Sequence, residues 1–305
     1  MRERVIQVEH FRKAYGDYVA VSDVNFEVYK GEIFGLLGPN GAGKTTTLEC
    51  LEGLRQPDSG TLRVMEIDPS QEAHRLQNLI GVQLQASGMP DSITCREAMR
   101  FFCAYHGVAP RYDLLERLDL TAKLDTQYYM LSTGQKRRLA LALAIAHSPS
   151  ALFLDEPTAG LDVMSRAELH DVIRELRDQG TTVILSSHDM SEVEKLADRV
   201  EILLHGKIAA IGTPHELTAA GSKLTKISIH SEFSSLANGA QLPAVSQHLL
   251  KDEYDVYYST DPAATVMALL EHLKLNHDPL IDLRVERPSL EERFLEITSH
   301  PEDVR

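Results

Sequence analysis

From residue 5 to about residue 28, apolar and polar positions alternate, the period-two pattern of strands with one buried face. Gly16-Asp17 interrupts the run where a tight turn fits. Residues 32–37 are short and mostly apolar, which predicts a strand buried on both faces. A helix is expected over 44–54. The stretch 70–125 reads as mostly helical, with breaks at Ser87-Gly88-Met89-Pro90 and at Ala109-Pro110. A helix over 132–146, a buried strand over 151–154, an amphipathic helix over 165–179 stopped by Gly180, and a third buried strand over 181–185 follow. Residues 200–204 and 207–211 flank His205-Gly206 as a hairpin. Buried strands alternating with helices predict an α/β fold, a mostly parallel sheet with helices on its faces. This first domain is placed at 1–218.

Ala219-Ala220-Gly221-Ser222 reads as a linker, and the pattern changes after it. Strands are expected over 226–230, 255–259 and 281–285. A helix is expected over 262–276, with Val266, Leu269, Leu270, Leu273 and Leu275 available to a core. A last helix opens with Ser289 and Glu292 at capping-box spacing and carries Leu290, Phe294 and Ile297 on one stripe. Residues 219–305 are thus a small α+β domain.

Composition narrows the function classes. The formal net charge of −14 lacks the basic stripe that duplex binding needs, so no nucleic-acid partner is expected. The longest apolar run ends at His147, far short of a membrane span. No apolar signal core follows Met1-Arg2-Glu3-Arg4, which predicts a cytoplasmic location. Cys50, Cys95 and Cys103 have no paired spacing and read as reduced thiols.

The strongest chemical signal is Gly38-Pro39-Asn40-Gly41-Ala42-Gly43-Lys44-Thr45, followed by Thr46. It satisfies the phosphate-binding P-loop pattern. Glycines let the backbone wrap a polyphosphate, and free amides at a helix start face its negative charge. Lys44 reaches the β- and γ-phosphates, and Thr45 suits Mg²⁺. ATP and Mg²⁺ are therefore the expected cofactors. Residues 151–154 end in Asp155 and Glu156. Asp155 suits the metal, and Glu156 suits a general base that orients water.

Leu131-Ser132-Thr133-Gly134-Gln135 then resembles the L-S-G-G-Q signature of ABC ATPases. The resemblance implies that Ser132, Gly134 and Gln135 meet nucleotide held by an opposing protomer, in a head-to-tail pair of cassettes. It also implies an N-terminal antiparallel β subdomain and a helical subdomain. Tyr15 resembles the aromatic that stacks on adenine. Gln85 resembles the loop glutamine that touches Mg²⁺ and the attacking water. Asp162, in Gly160-Leu161-Asp162, resembles the loop that couples the two sites. His188 resembles the switch histidine at the γ-phosphate. The end of the chain, from Pro288 to Leu295, resembles ATPases of bacterial drug, antibiotic and lipid exporters, whose appendix is read here as regulatory or dimerising.

The family reading implies a homodimer or a pair with a paralogous cassette, and a separate transmembrane permease, probed through a groove near Gln85 at the inner face of the cell membrane. Two positions depart from the pattern: Thr133 replaces a glycine, and Leu84 replaces the proline before Gln85. The other readings are a soluble ABC ATPase acting on ribosomes or DNA, and a catalytically weak regulatory binder marked by Thr133.

Overall fold

The computed structural model describes residues 2–84, 88–220, 224–238, 242–286 and 289–299. It divides into two compact units, Met1–Thr213 and Pro214–Arg305.

In the first unit, β1 (Arg4–Tyr15) and β2 (Tyr18–Tyr29) form a hairpin. Strand β3 (Ile33–Leu37) leads to α1 (Lys44–Leu51), then β4 (Ser59–Val64), α2 (Ala73–Gln77) and β5 (Ile80–Gln83). Next come α3 (Cys95–Tyr105), α4 (Tyr112–Arg117) and α5 (Thr133–Ala144). Strand β6 (Ala151–Asp155), α6 (Val163–Asp178), β7 (Thr182–Ser187) and α7 (Met190–Leu196) follow. The hairpin β8 (Arg199–Leu204) and β9 (Lys207–Gly212) closes the unit.

Two sheets result. The antiparallel one runs β2-β1-β4, and the six-stranded one runs β5-β6-β7-β3-β8-β9. All neighbours in the second are parallel except β8 and β9. Every residue of β3 and β6 is buried, as expected of strands covered on both faces. His205 and Gly206 both have positive φ, which suits the twist of a two-residue hairpin turn. Helices α3 and α4 both pack on α5 as the helical part of the unit, with Met99, Cys103, Leu115 and Leu139 buried.

Several expectations need correction. Helix α1 stops at Leu51 because Gly53 takes a left-handed φ of 74°. The stretch 70–125 is not uniformly helical: residues 80–83 form β5, an edge strand too short to show a period. Strand β4 and helix α7 had no distinct sequence signal.

The second unit begins with α8 (Pro214–Ala219), which packs on the last helix of that unit. Part of the expected linker is thus helical, and residues 221 and 222 lie outside the described residues. Strands β10 (Thr225–Ser231), β11 (Val245–Lys251) and β12 (Tyr254–Ser259) precede α9 (Pro262–Leu275), β13 (Leu280–Glu286) and α10 (Leu290–Ser299). The sheet is antiparallel, in the order β11-β12-β10-β13. The exposed β11 was not anticipated. Leu269 and Leu273 enter the core, whereas Leu270 and Leu275 face out. The Ser289–Glu292 capping box is present, with backbone-to-side-chain bonds of 3.0 and 3.2 Å. Among the described residues, no helix is long and apolar enough to cross a membrane.

Candidate functional site

The P-loop joins the buried end of β3 to the start of α1. Its geometry demands glycine. Gly43 caps α1 at φ 107°, where a Cβ would meet the Ala20 carbonyl oxygen at 2.6 Å. A Cβ on Gly38 would lie 2.4 Å from the Leu203 carbonyl oxygen. The loop forms one wall of a cleft of 340 Å³ lined by Tyr15, Tyr18, Ala20, residues 40–46 and Glu156. Gly38 and Pro39 are not on that wall; their carbonyl oxygens instead accept from Lys44 Nζ at 2.8 and 3.3 Å.

Lys44 is buried, and burial lowers its ammonium below the usual lysine range, against the pull of Glu156 and Asp155. Its Nζ lies 3.7 Å from Glu156 Oε1. The other carboxylate oxygen of Glu156 lies 2.7 Å from His188 Nδ1. Glu156 adopts φ 49°, a region that non-glycine residues enter rarely. Its backbone amide is held there by the Ser186 carbonyl oxygen at 3.2 Å. The Thr45 hydroxyl donates to Asp155 Oδ2 at 3.1 Å, and the Ser186 hydroxyl donates to the other Asp155 oxygen. Three parallel neighbours, β3, β6 and β7, thus deliver Lys44, Glu156 and His188 to one end of the sheet. Ligands of open α/β sheets bind at this end.

Tyr15 is exposed at the cleft, with Lys13 Nζ and Arg55 Cζ at 5.6 and 5.4 Å from its ring centre. Tyr18, which sequence reasoning missed, donates its hydroxyl to the Gly41 carbonyl oxygen at 2.9 Å. A lone tyrosine after a turn carries no signal for that contact.

A second missed group supports the site from behind. Buried Glu192 accepts from Thr158 at 2.6 Å, from Ser187 at 2.8 Å and from His170 Nε2 at 3.0 Å. Burial raises its carboxyl, but these hydrogen bonds together hold it below the usual glutamate range. The network ties the loop after Glu156 to the residue before His188.

Ser132 is the N-cap of α5, and Gln135 completes a capping box with it. Thr133 is the first helical residue, in ordinary backbone, so the substitution needs no distortion. Gly134 faces Leu161 and Ser165. Asp162 caps α6 through the Ser165 amide, and hydrogen bonds from Ser165 hold its carboxyl low. None of Ser132, Gly134, Gln135 and Asp162 lines the P-loop cleft. Gln85 lies outside the described residues. Gln83, two positions earlier, lines a different groove.

A sequence profile described as ABC transporter matches residues 21–159. The chain is 34% identical over 306 residues to the linearmycin resistance ATP-binding protein LnrL of Bacillus subtilis (strain 168), spanning 96% of this chain and 98% of the relative. It is 32% identical over 300 residues to the Nod factor export ATP-binding protein I of Ralstonia nicotianae (strain ATCC BAA-1114 / GMI1000), spanning 96% and 94%. A solved ATP-binding subunit of an ABC transporter superposes with a TM-score of 0.65 at 25% identity, over 70% of this chain and 91% of that one. The chain belongs to the ABC transporter family, as one of its ATP-binding, ATP-hydrolysing subunits.

Proposed function

We propose that this chain hydrolyses Mg-ATP between two cassettes and uses the resulting motion to drive a separate membrane permease in the export direction, from the cytoplasmic face. The observation that carries the reading is the placement of Glu156, with one carboxylate oxygen beside Lys44 and the other on His188. There it can orient a water for in-line attack, while Lys44 and the P-loop amides balance the charge on the phosphates. Tyr15 offers a ring to the adenine. Thr45 and Asp155 are adjacent hard-oxygen donors that fit a divalent cation, and they would hold Mg²⁺, which supplies further charge neutralisation when bound.

The signature residues do not line the cleft within one chain. This favours a second cassette that presents its Ser132 and Gly134. A second copy of the chain is the simplest partner. Gln85 and Asp162 are assigned to the attacking water and to coupling between sites, from the family resemblance alone. The permease is assigned to a groove beside β5. The names of the relatives, antibiotic resistance and Nod factor export, favour outward transport. The second unit is assigned a regulatory or dimer-stabilising role.

The test is the solution mass of Glu156→Gln with and without Mg-ATP. Loss of the base traps ATP, so the mass doubles with nucleotide and not in the Lys44→Ala, Glu156→Gln double variant. A mass that ignores nucleotide, together with no ATP turnover by the permease-assembled wild type, would overturn the proposal in favour of a regulatory binder.

A further inference from the structure

A groove of 610 Å³ lies between the end of α1, strand β5 and helices α3 and α5. Its walls include the exposed side chains of Leu54, Leu84, Phe101 and Tyr105. Its floor is different. Glu52 and Gln83 line it, and each is more than nine-tenths buried. Among the described residues, Glu52 Oε2 and both polar atoms of the Gln83 side chain have no hydrogen-bond partner. Buried polar atoms without partners cost stability, so an occupant that supplies partners gains affinity.

The carboxyl at the floor says what that occupant carries: burial pushes it toward its neutral form, and a cation seated beside it restores the carboxylate. The charged neighbours that act on Glu52 are Asp155 and Glu49, both acidic. His106 and His147 also line the groove, stacked at 3.9 Å. Burial holds both imidazoles below their usual range, so neither supplies a cation at neutral pH. An apolar trough with an unmatched carboxyl at its floor fits an amphipathic helix with one basic side chain on its apolar face.

Resting on the permease reading above, we infer that the permease helix seated in this groove presents a lysine or arginine that ion-pairs with Glu52 and donates to Gln83 Oε1. The apolar walls supply contact area, and the buried pair sets which permease fits, because a helix without the cation leaves the floor unmatched. Glu52 also interacts with Asp155, which accepts from Thr45, so the docked cation changes the charge felt at the nucleotide cleft.

The probe is a set of three amphipathic helical peptides of about 15 residues, identical except for arginine, norleucine or glutamate at one position of the apolar face. Binding to the full chain is read by fluorescence anisotropy. The arginine peptide should bind about tenfold more tightly than the norleucine peptide, with the glutamate peptide weakest. Glu52→Gln should abolish the arginine advantage while keeping norleucine-peptide binding, which also reports that the variant is folded. Phe101→Glu should weaken all three. Equal binding of the arginine and norleucine peptides overturns the inference and leaves the groove reading standing. Absence of binding by every peptide, or binding untouched by Phe101→Glu, overturns the groove reading and the inference with it.

Discussion

His188 Nδ1 lies 2.7 Å from Glu156 Oε2, joining the ends of two neighbouring strands through one hydrogen bond. Glu156 is buried and His188 is more exposed, so the imidazole is positioned to orient the carboxylate and reach the cleft. His188→Ala should lower ATP turnover by about two to three orders of magnitude, with the KM for ATP changed only a few-fold. Phosphate release by the permease-assembled protein measures both. A turnover within twofold of wild type would remove His188 from the mechanism.

The P-loop should tolerate no side chain at Gly43. An added Cβ meets the Ala20 carbonyl oxygen at 2.6 Å, at a φ that L-residues rarely adopt. Gly43→Ala is expected to cost about 1–3 kcal/mol and to abolish binding of a fluorescent ATP analogue. Thermal unfolding and nucleotide titration together check it.

Glu192 acts on the site through other residues. Glu192→Ala leaves Thr158, Ser187 and His170 without their shared acceptor, at a cost of about 3 kcal/mol. Glu192→Gln keeps one acceptor oxygen and should recover much of the stability. Turnover should follow the same order, while nucleotide affinity should change little. Equal turnover in both variants would argue against positioning.

Thr133→Gly restores the usual glycine of the signature. Because Thr133 begins α5 in ordinary helical backbone, the change should cost a few tenths of a kcal/mol and leave turnover within twofold. A large gain in turnover would mean that Thr133 restrains the enzyme.

Burial, then Asp155 and Glu49, raises the Glu52 carboxyl from 4.5 to about 8. The folded chain therefore holds the proton more tightly than the unfolded chain. The contribution is fully present below pH 4.5 and is lost as pH rises through 8. Between these values wild-type stability should fall by up to about 1.4 kcal/mol per pH unit from this group. Glu52→Gln should remove that slope. Denaturant midpoints of both proteins across the interval decide it.

Among the elements, β3 and β6 were legible because two-sided burial leaves an unbroken apolar run. The P-loop was legible because its glycines are a local backbone requirement, met within one strand-turn-helix. The capping box at Ser289 was equally local, since donor and acceptor lie three residues apart. Strand β5 escaped because four residues at a sheet edge carry too little periodicity, and β11 because most of its residues face solvent.

By itself, then, the sequence determined the phosphate-wrapping loop, the carboxylate pair at Asp155 and Glu156, the alternation that makes a parallel sheet and the order of the signature parts. Each is written in neighbouring residues. Only the tertiary structure decided that Glu156 meets Lys44 and His188, that Tyr18 braces Gly41, that Glu192 gathers three donors and that Glu52 and Gln83 share a groove floor. These contacts join residues brought together by strand order, and β3 lies beside β7 and β8 although its neighbours in sequence lie in another sheet. Strand order follows from how all the elements bury their apolar faces at once, which no local pattern encodes.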